Sequence, residues 1–389
     1  MRGMDDDFSY FDANASEPVR ASALAAMADV AAVVGNPSSV HRAGRRARAI
    51  LESAREEVAA AFGGRAENCI FTSGGTEANV LAIAGLGGGR RLLAGATEHD
   101  AVRAAVPAGA VIPVDGNGVA RLDVLDRLLA EDGGGRPALV CLMLANNEVG
   151  TIQPVAEAAR VCRARGALLH VDAVQAAGRI PVDLAALGAD SIAISGHKFG
   201  GPKGAGALLL SGDVVRTLPP MMAGGGQEQG RRGGTPALPA IAAMAAAAAE
   251  AVRDMTAGDG VPARWRDAID DAARAGGAIV CGGGGPRLPN TTMLALPGRR
   301  AETQLIALDL AGFCVSAGSA CSSGKVARSH VLAAMGLGAL AGEAIRVSLP
   351  WTTRTEDVAR FIAAYAAMAA RLPARVSVPE NVGTEEVRA

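Results

Sequence analysis

Between residues 69 and 210 the chain alternates unbroken apolar runs with helical stretches, and this alternation restricts the fold more than any other feature. The runs lie at 69–72, 91–96, 111–114, 139–144, 168–171, 192–195 and 207–210, with helical patterns at 122–131 and 155–165 among them. A strand exposed on one face alternates apolar and polar residues, whereas these runs are almost continuously apolar. They therefore read as strands covered on both faces, in an α/β sheet flanked by helices. Ligands of such sheets bind at the carboxyl ends of the strands.

Polar residues collect at those ends. Thr97-Glu98-His99 follows one run, Asn146-Asn147-Glu148 another, and His170-Val171-Asp172 leads a third into Ala173-Val174-Gln175. The run ending at Ile194 opens into Ser195-Gly196-His197-Lys198-Phe199-Gly200-Gly201-Pro202-Lys203-Gly204. The chain holds 38 Lys and Arg together, yet only Lys198, Lys203 and Lys325 are lysines. A chain that uses Arg wherever charge suffices keeps Lys where a removable proton is needed, since Lys can form a Schiff base and Arg cannot. Earlier, Thr72-Ser73-Gly74-Gly75-Thr76-Glu77 joins a strand to a helix. Backbone N–H groups and the positive helix end make such a turn an anion cradle. Taken singly, each feature has a plainer reading: Asp172 as a helix cap, His99 as a structural histidine, Lys198 as a solvated turn residue.

The remainder reads as an N-terminal arm, a helix at 19–33, an amphipathic helix at 41–62, a Gly-rich binding loop at 224–235 and an Ala-rich helix at 238–256, expected to be solvent-flanked and to bridge to a second region. That region is α+β, with helices at 262–275, 302–310, 330–335 and 355–371 and strands at 291–296, 313–316 and 345–349. The expected division is an arm over 1–16 associated with the smaller domain, a large domain over 17–255 and a small domain over 256–389. A net charge of -1 gives no electrostatic case for nucleic acid or an anionic membrane. No apolar stretch reaches the roughly 20 residues of a membrane span. The acidic start has no apolar signal core, so a cytoplasmic location is expected. The six cysteines form no C-x-x-C pair, which argues against structural zinc. Cys69, Cys141 and Cys314 read as small core residues. Cys321 differs, lying among small residues in Ala317-Gly318-Ser319-Ala320-Cys321-Ser322-Ser323-Gly324, where a thiol is expected to be exposed.

A phosphate cradle, a carboxylate, amide-bearing strand ends, a stacking imidazole and a turn-borne lysine are together what pyridoxal 5'-phosphate requires. In these motifs, in their order, and in the Gly225-Gly226-Gln227-Glu228 and Ala317–Gly324 segments, the chain resembles a cysteine desulfurase of the NifS/IscS type, in the class V aminotransferase group of fold-type I enzymes. The resemblance implies a large domain with a mostly parallel seven-stranded sheet and a smaller α+β domain. It implies Lys198 as the Schiff-base lysine, Lys203 as a bystander, and Gly75, Thr76, Ser195 and His197 on the phosphate. Thr235 would reach the phosphate from the partner subunit of a homodimer. Asp172 would pair with the pyridine nitrogen, Gln175 with the ring hydroxyl, and His99 would stack on the ring. Asn147 would touch cofactor or substrate, and Arg346 would clamp the substrate carboxylate, a task suited to a planar fork.

The reaction implied is conversion of L-cysteine to L-alanine. Lys198 would remove the Cα proton and the Cys321 thiolate would take the substrate sulfur as a persulfide, with His99 as a proton acceptor. A sulfur-acceptor or iron-sulfur scaffold protein would then receive it. Lys325 and Arg328 are candidates for lowering the thiol pKa. Glu17, where the family usually has Thr, is expected to bear on the arm and not on the chemistry. The rival readings are an aminotransferase, a selenocysteine lyase and a catalytically silent cofactor-binding scaffold.

Overall fold

A computed structural model describes residues 8–106, 111–131, 134–212, 214, 219–220, 222–318 and 328–372. Cys321 and Lys325 lie outside the described residues.

The apolar runs form one sheet. Its strands are β2 (Cys69–Thr72), β3 (Arg91–Gly95), β4 (Val111–Ile112), β5 (Ala138–Met143), β6 (Leu168–Asp172), β7 (Ser191–Ser195) and β8 (Gly206–Leu210), preceded in the chain by β1 (Ser9–Tyr10). Their order across the sheet is β2-β8-β7-β6-β5-β3-β4. Strand β8 runs antiparallel to both neighbours and every other pairing is parallel. All residues of β5, β7 and β8 are buried, as continuous apolar runs require. Two apolar clusters cover the faces. One is built around Val140, Leu142, Leu169 and Ile192, the other around Leu139, Cys141, Ala193 and Leu208.

Helices α1 (Ala21–Ala31) and α2 (Arg42–Ala61) precede β2. The His41 ring caps α2 by accepting from the Gly44 N–H, and Ala47, Leu51, Ala54 and Val58 give it one buried stripe. It stops before Gly63, whose φ of +66° is left-handed and whose absent Cβ leaves room for the Asp183 carboxylate. Helix α3 (Gly75–Leu86) follows β2. Then come α4 (Asp100–Arg103), α5 (Leu122–Ala130), α6 (Val155–Ala164), α7 (Leu184–Leu187) and α8 (Leu238–Ala257). Helix α8 is not solvent-flanked. It packs on α1 and α2 and buries Ile241, Ala243, Met244, Ala247, Ala248 and Ala251, because a stripe of small side chains lets helix backbones approach closely.

The later part contains α9 (Ala263–Ala275), β9 (Ile279–Cys281), β10 (Thr291–Ala295), α10 (Ala301–Leu310), β11 (Phe313–Cys314), α11 (His330–Ala334), β12 (Ala344–Ser348) and α12 (Thr355–Arg371). Antiparallel β12-β10-β9 form a second sheet. Strand β1 pairs in parallel with β11. Phe11 from the arm packs between Phe313 and Phe361, with ring centroids 5.8 and 5.4 Å away. Cys69 and Cys141 are core residues as expected, whereas Cys314 is only half-buried in a two-residue strand.

Candidate active site

The strand ends converge as the sequence predicts, on Asp172. This residue ends β6 and is 6% exposed. Its Oδ1 accepts from the Val174 N–H at 3.0 Å and its Oδ2 from the Asn79 amide at 2.8 Å. Burial pushes its carboxyl above the usual carboxylate range, against the pull of the Val174 N–H, His99, Asn79 and Lys198. Behind it, His170 Nε2–H donates to Asn79 Oδ1 at 2.8 Å, and His170 Nδ1 accepts from Ser191 Oγ at 2.8 Å. That direction follows because the Asn79 amide nitrogen already donates to Asp172. Burial lowers the His170 pKa to about 3, so the ring is neutral. Asn79 and His170 thus orient Asp172, a role the sequence reading missed. The signal lay in the spacing, since Asn79 is one helical turn beyond Gly75 on the buried face of α3.

Lys198 sits one turn past β7, half-buried. Its Nζ donates to the carbonyls of Asn14 (2.5 Å) and Ala15 (3.0 Å). Desolvation, then the charges of Arg179 and Arg346, bring its pKa down to about 7. Lys203, by contrast, is exposed. His197 meets Ser16 Oγ at 3.3 Å, and burial with the adjacent Lys198 charge lowers its pKa to about 4.

Gly75 and Thr76 form the first turn of α3, and no side chain caps this helix. The first-turn N–H groups of an uncapped helix can take a phosphate. A Cβ on Gly75 would stand 2.5 Å from Val174 Cγ2 and 3.4 Å from Ser195 Cβ, so only glycine brings this turn against β7 and the Asp172 loop. Ser195 is buried and Thr76 exposed. His99 is exposed and caps α4 through its Nδ1. Gln175 donates to the Asn14 carbonyl at 3.0 Å and accepts from Arg179 Nη1 at 2.5 Å. Thr235 is exposed in the loop that the Arg232–Glu77 ion pair, 2.7 Å long, ties to α3.

Arg346, in β12, is buried at 4% exposure. Its fork donates to Asp12 Oδ1 at 2.6 Å, to the Asn147 carbonyl at 3.0 Å and to the Gly318 carbonyl at 3.3 Å. Its Nε has no partner among the described residues. Ser329 Oγ donates to Glu148 Oε2 at 2.5 Å. Gly318 and Ser329, which bracket the stretch containing Cys321, are therefore fixed beside Asn147 and Arg346. Among the described residues no cluster of His, Cys, Asp or Glu could hold a metal ion.

A family model for class-V aminotransferases matches residues 9–361. The chain belongs to the class-V aminotransferase family, on its cysteine desulfurase branch. It is 37% identical over 370 residues to the IscS-like cysteine desulfurase of Mycobacterium tuberculosis, covering 90% of this chain and 93% of that protein. It is 41% identical over 380 residues to a cysteine desulfurase of Frankia, covering 90% and 88%. The structure of a NifS-like protein from Rickettsia africae superposes with a TM-score of 0.84 at 32% identity, covering 93% of this chain and 99% of that one. SspA, solved in complex with cysteine, matches with a TM-score of 0.73 at 28% identity, covering 88% and 98%. No described helix of this cysteine desulfurase is long and apolar enough to cross a membrane.

The site residues fit pyridoxal phosphate by their chemistry. Asp172 is a buried carboxylate that forms no ion pair among the described residues, the α3 turn is uncapped, and Lys198 is an amine already poor at holding its proton.

Proposed function

We propose that this cysteine desulfurase uses pyridoxal phosphate to convert L-cysteine to L-alanine, passing the sulfur to Cys321 as a persulfide. The observation that carries the proposal is the Lys198 amine, at about pKa 7, held near buried Asp172 at the strand ends. When bound, the cofactor supplies an aldehyde for the amine and a ring that draws electrons from Cα.

The first turn of α3 at Gly75 and Thr76, with Ser195 and His197, would hold the phosphate, and Thr235 would add to it from the partner of a homodimer. Asp172 would keep the ring nitrogen protonated, its orientation set by Asn79 and His170. Gln175 would meet the ring hydroxyl and His99 would cover the ring face. Arg346 would take the substrate carboxylate on the fork that Asp12 now occupies, with Asn147 beside it. Lys198, about half neutral at pH 7, would be the base for the Cα proton. The Cys321 thiolate attacks the substrate sulfur. The S–S bond forms as the C–S bond breaks, and carbon keeps the electron pair and takes protons to become alanine. His99 is the proton acceptor proposed for the thiol. The anchoring of Gly318 and Ser329 beside Arg346 supports delivery of Cys321 to this site.

The division into an arm (1–16), a large domain (17–255) and a small domain (256–389), the cytoplasmic location and a sulfur-acceptor or iron-sulfur scaffold partner belong to the same reading. With L-cysteine and a thiol reductant the protein should release alanine and sulfide in equal amounts, and Lys198→Ala should release neither. Amino transfer to a keto acid without sulfide would favour the aminotransferase reading instead.

A further inference from the structure

Glu17 and Arg179 belong to neither the strand-end motifs nor the cofactor contacts named above. Both side chains are 6% exposed, and Arg179 Nη2 reaches Glu17 Oε1 at 3.3 Å. The other Glu17 oxygen accepts from the Trp351 N–H at 3.3 Å, so both oxygens act as acceptors. The Glu17 N–H donates to the His197 carbonyl at 2.8 Å. Arg179 spans the arm around Lys198. It donates to the Ala13 carbonyl (3.1 Å), Asn14 Oδ1 (2.8 Å) and Gln175 Oε1 (2.5 Å). The arm residues it grips, Ala13, Asn14 and Glu17, bracket the carbonyls of Asn14 and Ala15 that hold the Lys198 amine.

We propose that the buried Glu17–Arg179 pair is a positioning device for Lys198: the guanidinium fixes the two arm carbonyls that hold the amine, and its charge, offset by Glu17, sets how readily the amine gives up its proton. The groups facing Lys198 are Asp12 and Glu17 from the arm, Asp172 and Arg179 from β6 and the turn after it, His197 beside it and Arg346 from β12. Arg179 is the strongest charge acting on the amine and it lowers the affinity for a proton. On this proposal Glu17 bears on Lys198 through Arg179, and not on the arm alone. The proposal rests on Lys198 being the reactive lysine.

The test is trace acetylation of the cofactor-free protein across pH, with exposed Lys203 as the internal reference. Removing Arg179 charge and removing Glu17 charge both break the pair, so a purely structural role moves both variants alike. The electrostatic role moves them oppositely. Arg179→Gln should raise the Lys198 midpoint by about one pH unit, and Glu17→Gln, which keeps the shape, should lower it by about half a unit. Arg179→Lys should leave it in place. If Arg179→Gln does not fold, Glu17→Gln and Arg179→Lys decide. Shifts in one direction for all variants, or no shift in Glu17→Gln, overturn the proposal. Borohydride reduction of the cofactor-loaded protein separately shows whether Lys198 carries the cofactor, so the two readings fail distinguishably.

Discussion

A lysine held only by carbonyls, with two arginines nearby, differs in kind from a surface lysine. Lys198 is neutral over half the time at pH values above about 7. Capture of the cofactor aldehyde requires the neutral amine. The rate at which cofactor-free protein binds pyridoxal phosphate should therefore climb as pH rises through about 7 and level off above it, followed by absorbance in a stopped-flow experiment. A climb that begins only near 10 would contradict the pKa. At this scale the sequence shows Lys198 and Asp172 through residue type and strand-end position, and Arg346 through the family resemblance. It does not show Asn14, Glu17 or Arg179, because Arg179 meets the other two across more than 160 residues of chain. A buried ion pair leaves no periodicity, and Glu17 reads as an ordinary polar arm residue.

Elements of this protein are set by what they pack against. The Ala-rich helix α8 shows no strong amphipathic stripe, so its burial is invisible to a periodicity argument. The close approach to α1 and α2 makes it a core helix. Ala247 is wholly buried there, whereas Ala249 is exposed. Ala247→Leu should destabilise the protein by about 1–3 kcal/mol through overpacking, and Ala249→Leu should stay within about 0.5 kcal/mol, read from urea unfolding. Strand β9 escaped notice because only three residues, Ile279–Cys281, form it between glycine-rich turns. The apolar runs were legible because most of their residues are covered and turn residues bound them, although Val111 in β4 is exposed. The reversed direction of β8 was not, since a buried run reads alike in either direction.

On the scale of the whole molecule, three distant segments meet at one point. The arm supplies Asn14 and Asp12, the large sheet supplies Asp172 and Lys198, and β12 supplies Arg346. Asn14 fastens them together, with its amide donating to the Asn147 carbonyl and to Thr291 Oγ1, each at 3.0 Å, and its N–H to Ser348 Oγ at 3.0 Å. Gly318 and Ser329, described residues on either side of Cys321 in the chain, bond to Arg346 and Glu148 at this junction. The central claim is the proposal that the Cys321 thiol takes sulfur from a substrate held by Arg346. The direct test is alanine formed from L-cysteine with a thiol reductant, by the wild type and Cys321→Ser side by side, both loaded with cofactor. The account predicts alanine and sulfide from the wild type and almost none from the variant, with cofactor absorbance unchanged. Equal alanine from both would contradict it, because the sulfur would then leave without Cys321.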